Sequence, residues 1–544
     1  MIQKVTKFQN IIFKDKLSTF NFIFLIVSIL VIKELNLLFY NTLDSPDFNK
    51  YIVYLQHFFD GKITNKEHGL MYYYLHSLNY SIFYSDLNNF EFFIHRSIQN
   101  VNFYIYIIGL IGYYFLLQYL EFSNKTIFAT FIFINFFPPS ISMRLVFKPE
   151  ILAFALLPWI ILALEKFLNS KNIKYLFFAI PLLISSLTIK GNVLVIISLY
   201  LLICYFKVFI VCPKKALLLI IVLSLIGFSL ITLENNKVNG KSILDIQSGS
   251  SIEENYNFKA PPSIIYKIDM FKMLSSPIKH NHAKSFLGIT LLETTGDYFD
   301  LYWDNDASAY FENRKELISY EQSNEIKPPI YDEKNSSITI FQQRMTDVYL
   351  YETIGLVISI FLFYFLLTYT KKHKNFRKYL IAIFIGMLVL LFHSITGIPK
   401  NNFDPLVGDT FKPLYYSFVF IFSFAFLIAI MLKERKFRQF YIVLYCFVIF
   451  FILGFPKNSD FVPKTHMLQS IQTSVYCPVE KLIYLDGTDF EDMNCSKSIS
   501  LSKDSELLMY RNKIEHKPVN LFFLILNFIS MAYLTKNKKL FKNS

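Results

Sequence analysis

Long apolar runs constrain this chain more than any other feature of its sequence. Runs of about twenty apolar residues recur along its length, whereas the apolar residues of soluble domains come in short periodic patches. Hydrophobic residues make up 53% of the 544 residues and charged residues only 17%, and the mean hydropathy is +0.38. Soluble domains average about a quarter charged residues. The pattern therefore predicts an all-α polytopic membrane protein.

The apolar runs predict about twelve transmembrane helices, because about twenty apolar residues are enough to cross the hydrocarbon of a bilayer. The expected spans are 19–40, 101–120, 126–142, 150–168, 175–189, 192–211, 216–233, 347–370, 379–397, 414–432, 439–455 and 519–535.

Basic residues flank these spans on one side. The segments "KKHKNFRK" (371–378), "KERKFR" (433–438) and "KNKKLFK" (536–542) each follow an expected span, and Lys4 and Lys7 precede the first one. Positive charge resists translocation, so this side is expected to be cytoplasmic, with both termini on it and the chain in a bacterial inner membrane. This basic rim accounts for most of the net charge of +13, so no nucleic-acid partner is expected.

The opposite side carries the long polar segments. Cys477 and Cys495 share the last of these segments, where an oxidising compartment would allow a disulfide; two unrelated thiols are the alternative. The expected organisation is a membrane core at 1–233 with a first outer loop at 41–100, a large extracytoplasmic region at 234–346, further membrane helices at 347–455, an extracytoplasmic loop at 456–518, and a last helix with a basic tail at 519–544.

The segment after the first run, "NTLDSPDFNKYIVYLQHFFDGK" (41–62), places charge at the outer boundary of the membrane. A cap residue followed by Pro46 is typical of a helix start. Asp47, Lys50 and Tyr51 are spaced i, i+3, i+4 and so share one helix face. Two interpretations stay open. Asp47 complements the helix dipole and pairs with Lys50, or the two present a carboxylate and a cation to a substrate.

Four segments of the first two hundred residues resemble a known family in its order. They are "PDFNKY" (46–51), "EHGLMYYYL" (67–75), "FKPEILAFALLPWI" (147–160) and "SSLTIKGNVLVI" (185–196). These segments resemble the GT-C glycosyltransferases, in the branch of the aminoarabinose transferases and protein O-mannosyltransferases. Gly69 and Leu70 replace the paired prolines of the family's second segment, and an acidic residue of the third is glutamate here.

The resemblance implies a GT-C-like helix bundle with outer-face juxtamembrane helices. It also implies a polyprenyl-phosphate-linked sugar donor and a lipid, glycan or protein acceptor, which meet at the outer face among membrane lipids. Such a transfer needs a base for the acceptor hydroxyl and cations for the departing phosphate. Asp47 is the expected base, and Glu150 is a second acid that positions the acceptor or holds an ion. No cofactor is indicated, and a divalent metal ion stays open.

Several basic and aromatic residues are expected to contact the substrate. Three of the basic residues, Arg144, Lys148 and Lys190, lie at span ends, and the alternative for them is a side chain that only extends to the membrane interface. The expected contacts of the substrate and its phosphate are Lys50, Tyr51, His68, Arg144, Lys148 and Lys190.

The segment "TTGDYFDLYWDNDASAYF" (294–311) joins aromatic and acidic residues. Tyr302 and Trp303 could stack on a sugar ring, or the aromatic residues form a small core of their own loop.

Two rival functions share the membrane location. A transporter or flippase of lipid-linked glycans would carry ionisable residues within its spans, and a polymerase of such glycans would use the same outer loops.

Overall fold

The computed structural model of this chain describes residues 69–83, 90–239, 263–275, 285–295, 337–396, 416–434 and 518–536, together with residues 27, 29 and 30. Every regular element within these ranges is a helix, so the all-α prediction is confirmed for this part of the chain.

Sixteen helices lie in the described ranges, and we number them in chain order. They are α1 (Leu70–Phe83), α2 (Phe90–Tyr119), α3 (Asn124–Phe136), α4 (Pro138–Leu145), α5 (Glu150–Ser170), α6 (Lys174–Leu187), α7 (Gly191–Val211), α8 (Lys214–Asn239), α9 (Ser263–Tyr266), α10 (Met270–Ser275), α11 (Phe286–Thr295), α12 (Ser337–Lys372), α13 (Arg377–Leu380), α14 (Ala382–Thr396), α15 (Ser417–Lys433) and α16 (Pro518–Lys536).

Five helices in the described ranges are long and apolar enough to cross a membrane, which supports a multi-pass membrane protein. The count of twelve spans and their orientation stay predictions, and the expected span 439–455 lies outside the described residues. The five segments are Ser97–Tyr119, Glu150–Ser170, Gly191–Val211, Lys214–Asn235 and Thr353–Lys372.

The span expected at 126–142 is not one continuous helix. Helices α3 and α4 replace it and meet at an angle of 66°. The backbone leaves the helical region at Phe137, with φ −68° and ψ 123°, directly before Pro138 and Pro139. A proline cannot donate an amide hydrogen bond and disfavours helical geometry in the residue before it, so the second proline-led helix starts in a new direction.

Helix α5 lies at the centre of the bundle, with nearly all of its residues buried. Helix α2 approaches it closely because glycines face it. A Cβ at Gly109 would lie 2.5 Å from the Phe154 ring, and one at Gly112 would lie 2.7 Å from Trp159. The Trp159 indole N–H donates to the Ile108 carbonyl at 3.1 Å. Because α5 is enclosed along its length, its glutamates at both ends are buried as well.

Candidate functional site

A buried ion pair joins two of the residues that the sequence identified. The Lys190 ammonium lies 3.1 Å from the Glu150 Oε1 atom, with 3% of the glutamate side chain and 17% of the lysine side chain exposed. Glu150 is the first residue of α5, where a negative charge also interacts favourably with the helix dipole. The structure therefore brings Glu150 and Lys190, forty residues apart, into direct contact.

The turn between α6 and α7 positions Lys190. Lys190 is extended, with φ −166° and ψ 151°, and directly precedes the first residue of α7. The residue before α1 fixes this turn, because the Gly69 amide donates to the Ile189 carbonyl at 2.9 Å. A Cβ at Gly69 would lie 1.9 Å from the Thr188 carbonyl oxygen. Only glycine allows the two backbones to approach so closely, so Gly69 couples α1 to the Lys190 turn.

A chain of buried hydrogen bonds positions the segment that leads into Glu150. The Tyr72 hydroxyl donates to Asn102 Oδ1 at 2.8 Å, and Asn102 Nδ2 donates to the Val146 carbonyl at 2.9 Å. Phe147 follows directly and packs against the Tyr72 ring with centroids 5.4 Å apart. Burial raises the pKa of Tyr72 well above its usual range, and the Glu150 carboxylate acts in the same direction. Tyr72 is therefore a neutral hydrogen-bond donor.

Two buried polar groups of this region have unmet hydrogen-bonding capacity. Within the described part of the chain, Glu150 Oε2 has no hydrogen-bond partner, and neither ring nitrogen of His76 has one. The His76 ring contacts Tyr72 and Phe147, with centroid distances of 4.4 and 4.8 Å. Burial lowers the pKa of His76 to about 3, so the ring is neutral. A neutral imidazole can donate one hydrogen bond and accept another, and a carboxylate oxygen can accept one.

The side chains of Arg144 and Lys148 are more than nine-tenths buried within the protein. The Arg144 guanidinium donates to Asn135, to Oδ1 at 3.0 Å and to the carbonyl at 2.9 Å, and it lies over the Tyr106 ring at 4.8 Å. These contacts place Arg144 in a polar group at the bend between α3 and α4. The substrate contacts expected of these two side chains stay predictions.

The remaining predicted site residues cannot be placed relative to this pair, because they lie outside the described residues. They are the expected base Asp47, the expected contacts Lys50, Tyr51 and His68, the aromatic residues Tyr302 and Trp303, and the cysteines Cys477 and Cys495.

Sequence reasoning did not identify Asn102 or His76 as part of this region. Both lie in helices where single polar residues are common, and only their distant partners reveal their position. The tyrosine run at 72–74 was part of a quoted segment, but its hydroxyl contact to Asn102 was not expected. Tyr416, which directly precedes α15, also lies within electrostatic range of Glu150.

In the described ranges, His, Cys, Asp and Glu side chains do not gather in groups of three or more that could hold a metal ion. Comparison with known proteins found no matching family model, no matching curated protein and no matching solved structure.

Proposed function

We propose that this chain is a membrane glycosyltransferase that moves a sugar from a polyprenyl-phosphate donor to an acceptor at the outer face of the membrane. The observation that carries the proposal is the Glu150–Lys190 pair, in which one carboxylate oxygen holds the ammonium and the other has no described partner. A buried polar atom without a partner is costly, and ionisable groups buried in membrane proteins commonly mark substrate sites.

The chemistry of transfer matches these groups. The acceptor hydroxyl oxygen bonds to the anomeric carbon of the sugar, the bond from that carbon to the phosphate oxygen breaks, and its electron pair stays on the phosphate. The hydroxyl proton passes to Asp47 in this proposal. Glu150 Oε2 accepts a hydrogen bond from the acceptor and orients it. Lys190 places positive charge where the phosphate gains negative charge.

The distribution of basic residues supports the outward orientation of Glu150. Near the other end of α5, Lys372 pairs with Glu434 at 2.7 Å and Lys433 lies over the Phe122 ring at 5.2 Å. These contacts gather the basic ends of α12 and α15 on the side away from Glu150. Positive charge concentrates on cytoplasmic surfaces, so the Glu150 end faces outward in this proposal.

One observation favours a second candidate, a transporter or flippase of lipid-linked glycans. The bend of 66° between α3 and α4, with the buried Arg144 at its far side, resembles the interrupted helices and buried charges of transporters. A transporter moves its substrate without changing it, so the two candidates differ in whether a new glycosidic bond forms.

The test compares Asp47→Asn with Asp44→Asn in cells and in reconstituted vesicles. Loss of a general base lowers the rate by about a hundred- to ten-thousandfold, whereas asparagine caps a helix about as well as aspartate. Mass spectrometry of surface glycans and lipids should show one sugar modification that is lost in Asp47→Asn and retained in Asp44→Asn.

Vesicles that contain the purified protein and a panel of polyprenyl-phosphate sugars should release polyprenyl phosphate at a rate that follows the same order. Unchanged glycans in cells that lack the protein would overturn the proposal. Movement of the lipid-linked sugar across the bilayer without release of polyprenyl phosphate would favour the transporter.

A further inference from the structure

A cavity of about 250 Å³ lies between α1, α2, α5 and α16, and nearly all of its lining is hydrocarbon. An apolar cavity of about 150 Å³ stays free of water and accepts a ligand the size of benzene. This larger cavity therefore suits a hydrocarbon chain. Its apolar lining includes Met71, Leu75, Val101, Leu156, Leu524 and Phe528.

The cavity is separate from the Glu150–Lys190 pair. Helix α5 contributes Leu152, Ala155 and Leu156 to the lining. At 3.6 residues per turn, these positions lie roughly 140° to 240° around the helix from Glu150. They are on the opposite face of α5, so a molecule in the cavity does not occupy the position beside the unpaired Glu150 oxygen.

The rim of the cavity opens at the periphery of the helix bundle. Tyr104 on α2 and Phe528 on α16 both line it, and their side chains are 53% and 50% exposed. Tyr104 belongs to the segment Ser97–Tyr119, which is long and apolar enough to cross a membrane. Exposed side chains on such a segment face lipid, so the bilayer is the source from which a ligand enters.

The polar side chains in the lining include Asn79, whose Nδ2 group donates to the Ser97 hydroxyl at 2.8 Å, and Asn527. Asn527 lines the cavity, and 3% of its surface is exposed. Its Nδ2 group donates to the Ser185 hydroxyl at 2.8 Å, while its Oδ1 atom is buried with no hydrogen-bond partner among the described residues. A buried acceptor in an apolar environment needs a donor, and a plain acyl chain has none.

We propose that the cavity binds a lipid alcohol of the surrounding bilayer, with the hydrocarbon chain between α1, α2 and α16 and the hydroxyl group donating to Asn527 Oδ1. This site is distinct from the proposed transfer site, and binding to it does not depend on transfer.

The test uses photo-crosslinking in phosphatidylcholine vesicles that contain the full-length protein and a trace of hexadecanol bearing a diazirine and an alkyne. Peptides from α1, α5 and α16 should be labelled. The acetate ester of the same probe, which cannot donate, should label them roughly two- to tenfold less, as expected for one neutral hydrogen bond.

Two variants locate the site. Ala155→Phe fills the cavity and should abolish labelling of these peptides. Asn527→Leu keeps the branched shape of the side chain and removes its amide oxygen, so it should remove the preference for the alcohol over the ester. This variant serves if Ala155→Phe does not fold. Ile210→Phe on α7, whose side chain is 70% exposed, is the control and should change neither result.

Equal labelling by alcohol and ester in the unmodified protein would overturn the assignment of Asn527. Labelling spread over the exposed faces of α7 and α8, and unaffected by Ala155→Phe, would overturn the site. Either outcome leaves the proposed glycosyl transfer untouched, because the experiment measures binding alone.

Discussion

At each end of α5 a buried glutamate meets a lysine from another segment of the chain, and the surroundings of the two pairs differ. At the Glu165 end, Lys378 forms an ion pair with Oε1, and the Tyr205 hydroxyl donates to the same oxygen at 2.6 Å. The Tyr119 hydroxyl donates to the Glu165 carbonyl at 3.2 Å. Neither side-chain oxygen of Glu165 is among the buried atoms without a partner in the described ranges.

The Glu150 carboxylate has fewer described hydrogen-bond partners. It has Lys190 on one oxygen and no described partner on the other. At the Glu165 end two donors share one carboxylate oxygen, and the pair ties α5 to α7 and α13. At the Glu150 end one donor is described, and the other oxygen is fully buried without a described partner, so it keeps capacity for a ligand. The comparison therefore separates a structural pair from a candidate functional pair within a single helix.

The largest expected effect is on transfer by Glu150→Gln. The Lys190 ammonium can only donate, so the amide oxygen of the glutamine stays with it and the NH₂ group takes the place of Oε2. The variant therefore presents a hydrogen-bond donor at the position where the unmodified protein presents a hydrogen-bond acceptor to the substrate hydroxyl. We expect the rate of transfer to fall by at least about a hundredfold, the typical loss when one oriented catalytic hydrogen bond is removed.

The release of polyprenyl phosphate from reconstituted vesicles measures this effect, and Glu165→Gln is the matched control at the other end of the helix. The control should retain transfer once the amount of folded protein is taken into account. Equal losses in the two variants would remove the functional distinction between the two ends.

The next effect is on stability, where we expect Glu165→Gln to have the larger effect and Glu150→Gln the smaller one. Removing one partner of a buried ion pair costs about 3 to 5 kcal/mol. Lys378 keeps 28% exposure, so we expect Glu165→Gln to lower the free energy of unfolding by about 2 to 3 kcal/mol. Glu150→Gln also breaks an ion pair, but its amide oxygen still accepts a hydrogen bond from Lys190 and the variant removes a buried, incompletely hydrogen-bonded charge, so its net change should stay within about 1 kcal/mol.

Unfolding in mixed detergent micelles, followed by circular dichroism, gives both free energies. A greater loss of stability in Glu150→Gln than in Glu165→Gln would reverse the assignment of the structural pair.

The sequence predicted part of this arrangement for a physical reason. The first residue of α5 and the turn before α7 are local features, so Glu150 and Lys190 could be identified from the segments around them. The contacts of Tyr72 with Asn102 and of Asn102 with Val146 join residues 30 and 44 positions apart. No local pattern contains that information, because such contacts depend on how whole helices pack.

The bend at Phe137 shows the same limit from the other side. Pro138 and Pro139 are visible in the sequence, yet hydropathy alone favoured one span across them. Gly69 is a similar case. Its departure from the paired prolines of the resembling family segment is explained by the structure, since a proline has no amide hydrogen for the Ile189 carbonyl.

Gly69→Ala tests how the Glu150 end is held. The added Cβ would lie 1.9 Å from the Thr188 carbonyl oxygen, so the backbones must separate and the hydrogen bond to Ile189 weakens. Overpacking of this kind costs about 1 to 3 kcal/mol. Gly191→Ala, directly after Lys190, is the matched control because a Cβ there meets nothing within 4 Å.

The control should be neutral or slightly stabilising, since alanine favours helices more than glycine does. Detergent unfolding measures both variants. Equal stability of the two would mean that α1 is not held against the Lys190 turn.

The smallest effect concerns the tyrosines that accompany the two pairs. Tyr205→Phe removes a hydroxyl that donates to the charged Glu165, and a hydrogen bond to a charged group contributes about 1.5 to 3 kcal/mol. Tyr72→Phe removes a hydroxyl that donates to the neutral amide of Asn102, and a neutral bond contributes about 0.5 to 1.5 kcal/mol. Tyr205→Phe should therefore destabilise the protein by about 1 kcal/mol more than Tyr72→Phe. Transfer should respond in the reverse order, because Tyr72 positions the segment that leads into Glu150, whereas the Tyr205 hydroxyl donates to Glu165 at the opposite end of α5. The free energy of unfolding and the rate of polyprenyl phosphate release, measured on the same two preparations, test both expectations.

A Tyr205→Phe protein that is stable but slow in transfer would show that the two ends of α5 act together. The division between a structural and a functional pair would then have to be abandoned.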